Sequence, residues 1–117
     1  MGTVLSQSYP AFTQSGIRCM VGEIEIDDQM REVRRAGVEV KLTPKEYDLL
    51  IALARRNGAA ASKQALMYEV WNTTAETNSR TLDQHVFELR RKLEPVPGQP
   101  RHIITVSKFG YRLRINE

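Results

Sequence analysis

Between residues 18 and 42 apolar and polar positions alternate with period two. Ile24 and Ile26 are set among Glu23, Glu25 and Asp27, and Val38, Val40 and Leu42 among Glu39 and Lys41. That period places like side chains on one face of a strand. Asp28-Gln29 and Ala36-Gly37 are turn signals between the runs, and the glycine is free to take positive φ. Residues 30–35 form a further strand around Val33, and Cys19-Met20-Val21 adds another edge. The pattern predicts a small antiparallel meander with one apolar face that something must cover.

At Thr43 the period changes to that of a helix. Thr43-Pro44-Lys45-Glu46 supplies an N-cap threonine, a proline at the first helical position and a glutamate that closes a capping box. Tyr47, Leu50, Ile51 and Ala54 follow on one stripe, Leu49 and Leu53 on a second, and Asn57-Gly58 ends the segment. A helix apolar on two sides belongs in the middle of the molecule. Ser62 caps a second helix through Trp71, with Leu66, Met67 and Val70 inward. A polar loop over 72–79 leads to a third helix that starts near Ser79 and stops before Pro95. Its buried stripe is Leu82, Val86, Leu89 and Leu93. A Pro/Gly-rich connector, 95–100, precedes a closing hairpin of 103–106 and 111–115. The order of sheet, three helices and hairpin predicts an α+β fold, a winged helix-turn-helix with a C-terminal β-hairpin wing.

Composition narrows the function. With 117 residues, 41% hydrophobic and 26% charged, the chain has the make-up of one globular domain. Residues 1–17 read as a flexible tail or linker remnant and 18–117 as the domain. No apolar run approaches the ~20 residues of a membrane-spanning helix. One cysteine and two histidines leave no material for a disulfide framework or a zinc site, so no cofactor is expected and a cytoplasmic location fits. The net charge of +3 is concentrated late in the chain: residues 78–117 hold eight Lys/Arg against four Asp/Glu. A basic end of this kind suits a polyanion, most often a nucleic acid, or is simply a well-solvated surface.

The third helix carries the chemistry. With its leucines inward, Arg80, Thr81, Gln84, Phe87, Glu88 and Arg91 fall on the opposite side. Such a helix fits the major groove, where Gln can serve adenine, Glu can accept from cytosine, Arg can take guanine or phosphate, and Phe can meet a thymine methyl. The plain alternative is an amphipathic helix with a solvated face. In the hairpin, Tyr111, Leu113 and Ile115 point one way and Arg112 and Arg114 the other, and the turn bears Lys108 and Phe109, which suits backbone or minor-groove contact. Its alternative is a stabilising hairpin with soluble arginines. His85, beside the leucine stripe, reads as a hydrogen-bonding residue that is buried or faces phosphate. No Gly-rich phosphate loop, metalloprotease helix or nucleophile elbow occurs, and Asp83 and His85 lie two apart on a helix and diverge, so an enzyme is not expected.

These motifs carry a family likeness. Leu42-Thr43-Pro44-Lys45-Glu46-Tyr47-Asp48-Leu49-Leu50, Val70-Trp71, Arg80-Thr81-Leu82-Asp83-Gln84-His85-Val86, Leu89-Arg90-Arg91-Lys92-Leu93-Glu94 and Gly110-Tyr111-Arg112-Leu113 resemble, in order and spacing, the OmpR/PhoB-type effector domain of bacterial response regulators. The resemblance runs from about Gly22 to Ile115. It implies a four-stranded antiparallel sheet, three helices and a wing, with double-stranded DNA as partner. It implies DNA contacts at Lys63, Trp71, Arg80, Thr81, Gln84, His85, Phe87, Glu88 and Arg90, and at Thr105, Ser107, Lys108 and Tyr111 in or near the wing. It also implies head-to-tail pairing on direct repeats and, through loop 72–79, contact with RNA polymerase. Two departures stand out. Ser107-Lys108 replaces the usual Arg-Gly of the wing, and Phe87 and Glu88 stand where relatives often carry arginine. The leading expectation is sequence-specific binding of duplex DNA; the departures leave room for the alternative, a protein-interaction module contacting RNA polymerase or another protein, with weak or no DNA binding.

Overall fold

The structure, a computed structural model, describes residues 12–13, 16–73 and 79–115. In chain order the elements are β1 (Phe12–Thr13), β2 (Gly16–Val21), β3 (Ile24–Asp27), β4 (Glu32–Arg35), β5 (Val38–Glu39), α1 (Pro44–Ala54), β6 (Ala61–Ser62), α2 (Lys63–Trp71), α3 (Ser79–Leu93), β7 (Ile103–Val106) and β8 (Gly110–Leu113).

Strands β2 to β5 form the four-stranded antiparallel meander, and the two-residue β1 pairs outside β2. Cys19 stands opposite Ile26 and Ile26 opposite Val33, so the apolar alternation lines up across the strands and faces the helices. Cys19, Val21, Ile24, Ile26 and Val33 are all buried there. Pairing therefore reaches back to Phe12, into the stretch expected to be a tail; residues 1–11 lie outside the described residues. Two strand expectations are corrected. Asp27 Oδ1 accepts from the backbone N–H groups of Gln29 and Met30, which ties 28–31 into a turn, exposes Met30 and delays β4 to Glu32. The alternation of Val38, Val40 and Leu42 keeps only two residues of strand, because the chain must leave the sheet to reach the Thr43 cap. Val38 ends exposed, while Val40 and Leu42 pack beside the core.

The helices follow their caps. Glu46 N donates to Thr43 Oγ1 at 3.2 Å and Thr43 N to Glu46 Oε1 at 3.0 Å, closing the box that starts α1. Ala65 N donates to Ser62 Oγ at 3.0 Å, and α2 ends at Asn72 in the left-handed region. Every residue from Leu49 to Ala54 is buried, as a central helix requires: α1 touches α2, α3 and β8. In α3, Leu82, Leu89 and Leu93 are fully covered and Val86 nearly so. Each such side chain contributes about 1.5–3 kcal/mol by leaving water, which fixes the rotation of α3 about its axis.

The closing hairpin has a third strand that periodicity does not reveal: Ala61–Ser62 pairs with β8, giving the order β6-β8-β7. Gly110 makes this docking possible, since a Cβ there would sit 1.9 Å from the Ala61 carbonyl oxygen. The start of β7 is fixed by Glu94. Its buried carboxylate accepts from the backbone N–H groups of Arg101, His102 and Ile103 at 2.7–3.2 Å, closing the connector after α3.

Candidate nucleic-acid interface

Because the leucine stripe holds α3 against the body, the opposite stripe is set outward. Arg80, Gln84, Phe87 and Arg91 are exposed, Phe87 at 58%. Thr81 and Glu88 are half-buried beside them. Glu88 Oε1 accepts from Arg91 Nη2 at 2.6 Å and from Nε at 3.0 Å, so the carboxylate expected to meet cytosine is already engaged by its neighbour one turn on. His85 is half-buried. Its Nδ1 lies 2.8 Å from the Thr81 carbonyl oxygen, which can only accept, so Nδ1 carries the proton; the ring meets Trp71 edge to face at 4.9 Å. Trp71 is half-buried and packs on the core.

The wing presents a different set. Ser107, Lys108 and Phe109 make the turn, all exposed, with Phe109 N donating to the Val106 carbonyl. Lys108 holds φ of +59°, the left-handed region. Thr105 is exposed on β7, and Arg112 is half-buried with its Nη1 3.3 Å from the Gly58 carbonyl oxygen.

Three side chains that the resemblance places on DNA are bonded to other parts of the protein, Tyr111 buried and Lys63 and Arg90 half-buried. Tyr111 is 6% exposed and its hydroxyl donates to Asp83 Oδ1 at 2.6 Å; burial, and then the Asp83 carboxylate, push its phenol well above the usual range. Lys63 Nζ pairs with the same carboxylate at 3.2 Å. Arg90 donates to the Ile103 carbonyl and to Thr105 Oγ1. Sequence reasoning considers Asp83 only as a poor acid–base partner for His85 and misses its place between α2, α3 and β8. The missing signal is tertiary: the partners of Asp83 lie 20 and 28 residues away. Of loop 72–79, residues 74–78 lie outside the described residues.

Among the described residues, no group of three or more His, Cys, Asp or Glu side chains is placed to hold a metal ion, and no helix is long and apolar enough to cross a membrane.

An outward polar stripe on the last helix of a helical trio, with a hairpin fastened beside it, defines a winged helix-turn-helix protein. Residues 37–113 match the family described as "Transcriptional regulatory protein, C terminal", and the chain belongs to this family, the OmpR/PhoB-type DNA-binding domains. It is 37% identical over 92 residues to the DNA-binding response regulator MtrA of Mycolicibacterium smegmatis, covering 79% of this chain and 40% of MtrA. It is 39% identical over 87 residues to the transcriptional regulatory protein KdpE of Mycobacterium tuberculosis, covering 74% of this chain and 38% of KdpE. The chain thus spans about two fifths of the length of these curated relatives. The RstA DNA-binding domain of Klebsiella pneumoniae, solved in complex with the RstA box, superposes with a TM-score of 0.76 at 29% identity, over 83% of this chain and 96% of that one.

Proposed function

We propose that this chain is the sequence-specific, duplex-DNA-binding domain of a bacterial two-component transcriptional regulator, with α3 in the major groove and the β7–β8 wing on the adjacent minor groove or backbone. The observation that carries the reading is the split character of α3: its leucines are sealed in the core while Arg80, Gln84, Phe87 and Arg91 form one exposed stripe beside the wing. An α-helix of this kind fills the major groove, and Lys108 at the wing tip supplies a cation for phosphate. The domain acts by binding, without catalysis of its own, in the cytoplasm. Pairing head to tail on direct repeats and contact of loop 72–79 with RNA polymerase belong to the same reading.

Selection of bound duplexes from a random pool tests it. A single recovered motif is expected, with affinity falling steeply as salt rises, by about 0.9 in the logarithmic slope per phosphate neutralised. Replacing Arg80 with Ala should lower affinity for every duplex. Replacing Gln84 with Ala should re-rank the recovered sites, at about 1–3 kcal/mol for a lost bidentate base contact. The Glu88–Arg91 pair, which cancels one cation on the stripe, favours a second reading, a protein-interaction surface. No binding to any duplex at low salt would select that second reading.

A further inference from the structure

Several of the side chains that family resemblance assigns to DNA are bonded to one another or to the backbone, Tyr111 buried, Lys63 and Arg90 half-buried and Thr105 exposed. Asp83, on the first turns of α3, accepts from Tyr111 Oη on β8 at 2.6 Å and lies 3.2 and 3.3 Å from Lys63 Nζ on α2. Arg90, two turns further along α3, donates Nε and Nη2 to the Ile103 carbonyl at 3.1 and 2.9 Å and Nη2 to Thr105 Oγ1 at 2.8 Å. The Tyr111 ring lies between the two cations, its centroid 5.9 Å from Lys63 Nζ and 5.7 Å from the Arg90 guanidinium carbon. Both are within the range of cation–π attraction. The backbone adds one more tie, from Lys63 N to the Phe109 carbonyl at 3.1 Å.

Charge makes these bonds hard to exchange for phosphate contacts. If Lys63 turned to a phosphate, Asp83 would keep its negative charge unneutralised next to a polyanion. If Arg90 turned outward, the Ile103 carbonyl and the α3–β7 contact would lose their donor, since a fork with two bonds to one carbonyl is already committed. Tyr111 has too little exposed surface to reach a phosphate while it donates to Asp83.

We propose that Lys63, Arg90, Thr105 and Tyr111 are positioning residues rather than DNA contacts: joined through Asp83 and the Ile103 carbonyl, they set the separation of α3 and the wing so that both grooves are met together. This rests on the DNA-binding reading above. The recognition stripe and the wing tip then read bases and phosphates on their own, and the internal network determines whether they do so simultaneously.

The test uses the full chain and a duplex recovered by selection. Failure of the unaltered chain to bind any duplex overturns the DNA-binding reading, and the positioning claim falls with it. Where the unaltered chain binds, the remaining outcomes concern positioning alone. Lys63→Gln is expected to weaken binding several-fold with the salt slope unchanged. A slope smaller by about 0.9, the signature of a lost phosphate contact, would overturn the claim. Tyr111→Phe changes no charge. It is expected to cut discrimination at the wing-side base pairs by about ten-fold, the worth of one base contact, while the preferences read by α3 stay as they were. Equal loss on both sides, or on neither, refutes positioning. Thr105→Val, at an exposed site that removes one acceptor from Arg90, is expected to show the same one-sided loss in weaker form and guards against a Tyr111 variant that does not fold.

Discussion

Lys92, in the last turn of α3, reaches Glu46 Oε1 at 2.6 Å, and the glutamate is 4% exposed. Burial opposes the Glu46 charge, but the Lys92 and Thr43 hydrogen bonds and the Lys92 charge outweigh it and hold the carboxyl below its ordinary value. The unfolded chain therefore binds the proton more readily. This contribution is fully present above the unfolded carboxyl range near ~4.3 and is lost as pH falls through the lower folded value. Lys92→Met should cost about 2 kcal/mol and flatten the rise of stability between acid and neutral pH, as followed by urea unfolding across that range. Lys108 offers the opposite case. A lysine at φ +59° is strained, so Lys108→Gly should stabilise the fold by about 0.5–1 kcal/mol, the relief being partly offset by the freer unfolded chain. The same variant should take about 0.9 from the salt slope of duplex binding. Calorimetry and a salt titration of one protein would check both signs.

At the scale of elements, the hairpin hangs on one close approach. In Gly110→Ala the new methyl would have to push back the Ala61 backbone, not a flexible side chain. The β6–β8 pairing should weaken by about 1–3 kcal/mol or more, seen as a lower unfolding temperature and faster amide exchange at Tyr111. This dependence also shows why elements differ in how far they are legible in sequence. α1 and α2 announce themselves, because their caps are local: Thr43 and Glu46 are three residues apart, as are Ser62 and Ala65. β6 is two residues whose strand character comes wholly from β8, some fifty positions later, and nothing in Ala61-Ser62 alone encodes it. β5 is cut short by a competing demand, the route to the Thr43 cap. The candidate site divides in the same way. The outward stripe of α3 follows from the spacing of its leucines and is legible. The bonding of Lys63, Arg90 and Tyr111 depends on which partner arrives across the fold, and is not.

For the molecule as a whole, the sheet and the interface lie on different parts of one core. The buried residues of the meander share one core with α1, and α1 also touches α3 and β8 of the wing. The positive excess of the final forty residues falls on the side of α3 and the wing, and residues 1–58 carry eight basic and eight acidic groups, so the sheet half adds no net charge. The sheet half also contains the chain's single sulfhydryl, at Cys19 on β2. Burial pushes this thiol up to about 11, so near neutrality it is both covered and protonated, the two conditions that suppress alkylation. Any maleimide or iodoacetamide adduct must then await a breathing event in which β2 parts from its neighbours. The labelling rate of the native protein becomes an intrinsic clock for the meander, and comparing it with and without bound duplex would tell how far the hold of nucleic acid on one flank is felt across the core.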